Sequence, residues 1–216
     1  MEELENLNIL DKPKRPFVVV MGGAKIKDKI GIVQALIKKA DYILIGGALS
    51  YTFLKAKGYN LGKCPVETDE IDYCKNLLDI YEDKIILPSD LYGTYEKTDD
   101  TDIAFQSVEN IPDNFNGLDI GDKTAEEFIS ILKNAKTVFW NGPLGAYEYE
   151  KFRLGTKKVL KYAKDNVDTV ILGGGDIVGC SNLLGYTDDL KFASTGGGAT
   201  LKYLENHDQP GLRNME

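Results

Sequence analysis

The sequence predicts a doubly wound α/β fold of the Rossmann-like kind, a three-layer sandwich around a six-stranded, mainly parallel sheet. Two observations predict it: short apolar runs recur along the 216 residues, and segments with helical spacing lie between them. Near-continuous runs of Val, Ile and Leu are typical of strands buried on both faces, as in parallel sheets. The six predicted strands are Phe17–Met21, Tyr42–Ile45, Lys84–Leu87, Val138–Trp140, Val170–Leu172 and Phe192–Ala193.

Three apolar stripes between these strands predict helices. They comprise Ile30, Val33 and Ile37; Ile71, Cys74, Leu78 and Tyr81; and Ala125, Phe128, Ile129 and Leu132. Thr124, followed three residues later by Glu127, predicts a capping box at the start of the third helix. Segment 89–122 is polar and contains Pro112 and Gly117, so we expect an irregular excursion there, with short extra strands.

The length fits one domain, which we place at residues 16–212. Residues 1–15 are predicted to be a linker or part of an interdomain helix, and residues 213–216 a tail.

Composition excludes several classes of function. A formal net charge of -8 argues against nucleic-acid binding, and no apolar run approaches the ~20 residues of a membrane span. The three cysteines, Cys64, Cys74 and Cys180, form no C-x-x-C pair, and the amino terminus lacks a signal-peptide core. His207 is the only histidine and lies in a polar tail, which argues against a Ser-His-Asp mechanism. These features predict a cytoplasmic protein with neither nucleic-acid nor membrane partners.

Glycine-rich loops follow five of the predicted strands, and they carry the functional signal. The loops are Gly22-Gly23-Ala24-Lys25, Gly46-Gly47, Asn141-Gly142-Pro143-Leu144-Gly145, Gly173-Gly174-Gly175-Asp176 and Ser194-Thr195-Gly196-Gly197-Gly198. Ligands of open parallel sheets bind beyond the carboxyl ends of the strands. Glycines there let the backbone approach phosphate oxygens, and helix amino termini offer free N–H groups. Single glycines also end strands or pack helices, but five loops at one edge predict a phosphate site.

The phosphate site is not of the two commonest types. No G-x-G-x-x-G loop follows the first strand, and no G-x-x-x-x-G-K-[ST] loop occurs in the sequence. A nicotinamide-dependent oxidoreductase would share the sheet topology but lacks this fingerprint and a catalytic histidine.

These motifs, in their order, resemble the carboxyl-terminal, nucleotide-binding half of phosphoglycerate kinase. The resemblance extends from about Lys14 to Gly211. Its segments are Gly22–Ile30 (GGAKIKDKI), Ile45–Lys63, Asn116–Thr124 (NGLDIGDKT), Val138–Phe152 (VFWNGPLGAYEYEKF), Leu172–Asp176 (LGGGD) and Ser194–Glu205. The resemblance implies ATP or ADP as ligand, Mg²⁺ as cofactor, and phosphoryl transfer between 1,3-bisphosphoglycerate and ADP.

The resemblance also implies roles for individual residues. Lys25 would follow the transferred phosphoryl group, Lys29 would hold the α-phosphate, and Asp176 would meet the magnesium ion. Asn141 would contact phosphate, and Glu148 would accept the ribose hydroxyls. Amides of the glycine loops would face the transferring group, at Gly174, Gly175 and Gly196–Gly198, with Gly197 among the catalytic set. The remaining nucleotide contacts would come from Gly23, Ala24, Gly46, Gly47, Gly121, Pro143, Gly145, Ala146, Gly173 and Ile177.

Structural alternatives stand beside these roles. Asp176 precedes a predicted helix and is also a candidate N-cap. Lys25 and Lys29 are spaced i, i+4 at a predicted helix start, where basic residues oppose the dipole, which favours a functional role. Glu148 is compatible with an ordinary solvated acid. Trp140, Cys64 and Cys180 are predicted to pack in the core, and Tyr147 and Tyr149 to be surface or packing groups.

The sequence departs from the family pattern in two respects. Ile177, Ala48, Ser89 and Asp122 occupy positions where the family usually has threonine, glycine, an apolar residue and proline. The amino-terminal, phosphoglycerate-binding domain is also missing, because only three arginines occur and the single histidine lies near the carboxyl end. The sequence therefore predicts a nucleotide-binding domain that is inactive or nearly so alone; a noncatalytic nucleotide-binding module derived from the kinase is the alternative.

Overall fold

The structure is a computed structural model that describes residues 9–95, 103–186 and 194–195. One parallel sheet has the strand order β3-β2-β1-β7-β8-β9. Its strands are β1 Phe17–Met21, β2 Tyr42–Ile45, β3 Ile85–Ile86, β7 Thr137–Asn141, β8 Thr169–Gly173 and β9 Ser194–Thr195. The predicted α/β class with a parallel central sheet is confirmed. The predicted strand Phe192–Ala193 lies outside the described residues.

Six α-helices of the described part accompany the strands. They are α1 Ile30–Leu36, α2 Leu49–Ala56, α3 Ile71–Tyr81, α4 Asp122–Leu132, α5 Leu154–Asn166 and α6 Gly175–Leu183. Alternate residues of β1 face opposite layers, because side chains alternate along a strand. Val19 packs toward α1, α2 and α3, whereas Val18 packs toward α4 and α5. Trp140 is fully buried in the second of these layers, as predicted.

The excursion 89–122 contains the short extra strands that the sequence predicts, and they pair into a second, antiparallel sheet rather than leaving the segment irregular. Its strands are β4 Asp90–Thr94, β5 Ala104–Ser107 and β6 Asn116–Ile120, in the order β5-β4-β6. The described part of the chain therefore contains nine strands, six in the parallel sheet and three in this second sheet. These strands are short and partly polar, so they lack the apolar run that marks a doubly buried strand. Leu91 and Phe115 close a third core cluster against Tyr51 of α2.

The strand order places a topological switch point between β1 and β7. The chain runs outward from β1 to β2 and β3, and then returns to the other side of β1 at β7 before it continues to β8. Loops that leave neighbouring strands in opposite directions open a crevice at this point. The crevice lies where the loops after β1 and β7 meet.

Asp90 caps α4, and the predicted capping box is wrong. The N-cap residue of α4 is Gly121, which has no side chain to offer. The Asp90 carboxylate instead accepts N–H bonds from Lys123 (3.0 Å) and Thr124 (2.8 Å). The Thr124 hydroxyl accepts from the backbone N–H groups of Ser89 and Asp90, and Glu127 accepts from the Ser89 hydroxyl. The Thr-x-x-Glu pair therefore binds a neighbouring strand, which local sequence spacing does not reveal.

The core begins before residue 16. Leu10, within the predicted linker, is fully buried and packs in the cluster that covers one face of the sheet. Asp11 forms an ion pair with Lys39 at 3.9 Å. The domain limits themselves stay a prediction.

Asp90→Asn should lower the free energy of unfolding by about 1–3 kcal/mol, since it replaces an acceptor with a donor among buried N–H groups. Urea unfolding measures this, with Asp79→Ala on the exposed face of α3 as the control. We expect the control to change stability by no more than about 0.5 kcal/mol. Equal losses in the two variants would contradict the capping role.

Candidate functional site

Two adjoining cavities lie at the carboxyl edge of the parallel sheet, in the crevice at the switch point. The larger, here called the main cleft, has a volume of about 450 Å³. The smaller, here called the small cavity, has a volume of about 160 Å³, and Asp176 lines both. Residues predicted for the nucleotide site that line the main cleft are Gly23, Ala24, Gly47, Pro143, Gly145, Ala146, Glu148 and Asp176. Those lining the small cavity are Lys29, Asn141, Gly174, Gly175 and Asp176.

The loops after β1 and β7 touch through their backbones at the base of the crevice. Gly22 N–H donates to the Asn141 carbonyl at 2.8 Å, and Gly23 N–H donates to the Pro143 carbonyl at 2.9 Å. A Cβ at Gly22 would collide with the Pro143 carbonyl, and one at Gly142 (φ +83°) would collide with Gly22. Glycine is therefore required here so that the two loops can approach, a reason independent of any ligand.

The small cavity is lined by a half-buried cation, Lys29, that an amide holds. The Lys29 ammonium donates to Asn141 Oδ1, and Asn141 Nδ2 donates to the Gly173 carbonyl. Burial lowers the pKa of Lys29, while the nearby carboxylates of Asp176 and Asp28 raise it. A cation with a neutral acceptor as its direct partner keeps most of its charge available to an anion.

The amino terminus of α6 closes the other side of the small cavity. Gly174 adopts φ +116°, and α6 begins at Gly175. The orphan N–H groups of this first turn and the helix dipole favour negative charge there. The N-cap is Gly174, so Asp176 lies inside the first turn and the interpretation of it as an N-cap is wrong.

Lys25 precedes the helix rather than opening it. Lys27–Lys29 forms a 3-10 turn, and α1 begins only at Ile30. Lys25 is exposed on the loop between β1 and this turn and lines neither cavity.

Four other predicted residues in the described part of the chain lie outside the two cavity linings. Gly46 packs against Leu144 and Ile120, and Gly121 packs against the Asp90 carboxylate. Gly173 accepts from Asn141, as described above. The side chain of Ile177 is fully buried in the core cluster beneath the sheet edge. Gly197 lies outside the described residues.

One wall of the main cleft consists of residues that the sequence did not predict for the site. That wall is contributed by Ala48, Tyr51, Lys63, Pro65, Asn116, Gly117, Leu118 and Tyr147. Most of these residues come from α2, from β6 and from the segment between them, which the tertiary fold brings to the cleft. Many of them lie in the family motifs Ile45–Lys63 and Asn116–Thr124. These motifs marked the segments as important, but they did not show that the residues line the cleft.

The buried carboxylate of Asp119 lies behind this wall. It accepts N–H bonds from Ile120 and from Gly155, the latter at 2.9 Å. Burial raises the pKa of Asp119 from 3.8 to about 8, while backbone N–H groups of Gly155, Ile120 and Leu154 lower it. Neither Gly145 nor Gly155 has room for a Cβ beside this carboxylate.

The described residues show neither a cluster of metal ligands nor a membrane-spanning helix. No group of three or more His, Cys, Asp or Glu side chains could by itself hold a metal ion in residues 9–95, 103–186 and 194–195. In the same residues, no helix is long and apolar enough to cross a membrane.

The fold and this crevice define a doubly wound α/β protein with a glycine-lined cleft at its switch point. A model of the family described as "Phosphoglycerate kinase" matches residues 1–207. The chain belongs to the phosphoglycerate kinase family.

Individual relatives support this family assignment. Curated phosphoglycerate kinases from Lactobacillus delbrueckii subsp. bulgaricus and Corynebacterium diphtheriae are 47% and 42% identical over 207 and 221 residues. The matches cover 95% and 100% of this chain but only 51% and 55% of those proteins. The phosphoglycerate kinase structure from Coxiella burnetii has a TM-score of 0.90 at 31% identity, and covers 94% of this chain and 54% of that one. The Pyrococcus horikoshii enzyme has a TM-score of 0.83 at 30% identity. The chain thus spans about half the length of the relatives it matches.

The raised pKa of Asp119 predicts a pH-dependent contribution to stability. The folded chain retains a proton that the unfolded chain releases near its ordinary pKa of 3.8. This contribution to the free energy of unfolding is fully present below that pH and is lost as the pH rises through about 8. Asn at this position cannot titrate, so the stability difference between wild type and Asp119→Asn should shrink from pH 5 to pH 8.5. Urea unfolding across that range checks it; a difference independent of pH would contradict the assignment.

Proposed function

We propose that this chain binds ADP or ATP with Mg²⁺ and forms the nucleotide half of a phosphoglycerate kinase. In the whole enzyme the reaction would be phosphoryl transfer between 1,3-bisphosphoglycerate and ADP. The observation that carries the proposal is the junction of the two cavities at Asp176. A cleft of about 450 Å³ with an apolar, glycine-lined wall suits a nucleoside, and it opens directly onto a small cavity built for an anion.

The small cavity has the groups that phosphates need. The ammonium of Lys29, the amide of Asn141 and the N–H groups at the start of α6 converge on it. Phosphoryl transfer depends on positioning and on stabilisation of charge, so such groups suffice without a protein nucleophile. Lys25, exposed at the mouth of the first loop, would serve the transferred group, together with amides of Gly174, Gly175 and Gly197.

The residues present fit a magnesium ion that arrives with the nucleotide. Mg²⁺ is usually bound by one or two carboxylates together with phosphates and waters, rather than by an all-protein cage. Asp176 supplies one exposed carboxylate at the junction of the cavities. When bound, the ion would neutralise charge on the phosphates.

The nucleoside contacts follow from the main cleft. Glu148 is exposed at its rim and makes no ion pair with another described residue, so it is available to the ribose hydroxyls. Gly23, Ala24, Gly47, Pro143, Gly145 and Ala146 would surround the nucleoside. Four predicted residues would support the nucleotide contacts indirectly, through their backbone groups or by packing beneath the loops. They are Gly46, Gly121, Gly173 and Ile177.

The phosphoglycerate site would lie on an amino-terminal domain, in the part of the relatives' length that this chain does not span. We therefore propose that the chain alone turns over little or no substrate, and that its natural partner is that domain. The proposed role in glycolysis and the three cysteines that form no disulfide both favour a cytoplasmic location.

Lys29→Ala should weaken MgADP binding by about 10- to 100-fold, because one charge-assisted contact to phosphate is lost. Isothermal titration calorimetry measures the dissociation constants. Lys38→Ala removes the same charge from the exposed end of α1 and should leave affinity unchanged. No heat with wild-type chain at millimolar MgADP would reject nucleotide binding, and equal effects of the two variants would reject the phosphate role of Lys29.

Complementation separates a kinase half from a noncatalytic module, the alternative that the loss of threonine at Ile177 suggests. The chain is mixed with the amino-terminal half of a related phosphoglycerate kinase, and ATP formation from 1,3-bisphosphoglycerate and ADP is followed. We expect turnover in the mixture and little or none with either half alone. Nucleotide binding without turnover in the mixture would favour the noncatalytic module.

A further inference from the structure

The segment 145–155 forms one wall of the main cleft and leads into α5. Gly145, Ala146, Tyr147 and Glu148 line the cleft. The chain then makes a 3-10 turn at Glu150–Phe152 and enters α5 at Leu154. Glu148, at the apex, is exposed and forms no ion pair with another described residue. Its position is therefore set by the backbone on either side.

One buried carboxylate meets both ends of this segment. At the near end, Gly145 lies so close to the Asp119 carboxylate that it has no room for a Cβ. At the far end, Gly155 N–H donates to Asp119 Oδ2 at 2.9 Å, and the Leu154 N–H also contacts the carboxylate. Asp119 is 1% exposed, and both of its oxygens accept backbone N–H groups.

The strand that carries Asp119 also supports the wall. Ala146 N–H donates to the Leu118 carbonyl at 2.7 Å, and Leu118 itself lines the cleft. The segment therefore meets β6 at three points: Gly145 packs against Asp119, Ala146 bonds to the Leu118 carbonyl, and Gly155 bonds to Asp119. A helix cap alone would need only the contact at Gly155.

We propose that Asp119 is a positioning residue for ribose recognition, because its carboxyl group packs against one end of the segment that presents Glu148 and bonds to the other end. The inference depends on the proposed function only in that Glu148 contacts the ribose of a bound nucleotide. Asp119 itself lines neither cavity.

Asp90 provides a matched control. It too is a buried aspartate whose carboxylate accepts N–H groups at the start of a helix, here α4. Neither Asp90 nor any residue of α4 lines the cleft or the small cavity. Loss of Asp90 therefore reproduces the cost in stability without loosening segment 145–155.

The test uses ligands that report on different parts of the site. Calorimetry gives dissociation constants of MgADP, of Mg²⁺ with 2′,3′-dideoxy-ADP, and of magnesium pyrophosphate. The ratio of the first two measures ribose recognition, and pyrophosphate measures the phosphate cavity. Wild type should favour ADP over the dideoxy analogue by roughly tenfold or more, and Glu148→Ala should abolish the preference.

At pH 9, where the Asp119 carboxyl is ionised and both oxygens accept, Asp119→Asn should reduce this preference close to one although Glu148 is intact, because the amide places a donor against a backbone donor. Its affinity for pyrophosphate should stay near that of wild type, and Asp90→Asn should keep the full preference for ribose. Gly155→Ala is the second variant in case Asp119→Asn does not fold. It puts a methyl group against Asp119 and Ile120 at the far end, and should also reduce the preference.

The outcomes separate the two proposals. No MgADP binding by wild type would overturn the proposed function and this inference with it. Binding with a ribose preference that Asp119→Asn or a folded Gly155→Ala retains would overturn the positioning role alone. So would an equal loss of preference in Asp90→Asn, since that would assign the effect to general destabilisation.

Discussion

The close approach of two loop backbones at the switch point is the contact on which the rest of the structure depends. Gly22 and Gly23 donate directly to carbonyls of Asn141 and Pro143, so the loops after β1 and β7 pack with no side chain between them. Any Cβ at Gly22 or Gly142 would separate them. This contact joins the two halves of the doubly wound sheet at the edge where ligands bind. The main cleft and the small cavity both open beside it.

Two buried aspartates secure the helices around this contact. Asp90, the first residue of β4, caps α4. Asp119, in β6, accepts an N–H group at the start of α5. A carboxylate removed from water is costly unless N–H donors surround it, and each of these receives such donors from a helix start. Because β4 and β6 belong to the antiparallel sheet, the aspartates tie that sheet to the helices of the main layer. The second sheet thus supports one wall of the cleft.

The main cleft and the small cavity differ in the residues that line them. Apolar and glycine residues form most of the main cleft, with Lys63 and Glu148 among its lining, whereas the small cavity brings together Lys29, Asn141 and the start of α6. Asp176 lines both cavities, where a cation carried by phosphates would be placed. The second reactant of the proposed reaction would need the half of the relatives' length that this chain does not span.

The sequence by itself determined the parallel sheet, the positions of β1, β2, β7 and β8, and the family, because buried strands and strand-end glycine loops are local signals. It also identified most of the small cavity, since Lys29, Asn141 and Asp176 lie within those loops. Only the tertiary structure decided that 89–122 forms a second sheet and that β6 supplies a wall of the cleft. It also decided that the Thr124 hydroxyl accepts N–H groups of Ser89 and Asp90 instead of forming a capping box, and that Ile177 lies in the core. Those outcomes depend on contacts between residues far apart in the chain, such as Asp119 with Gly155, and local spacing carries no record of them.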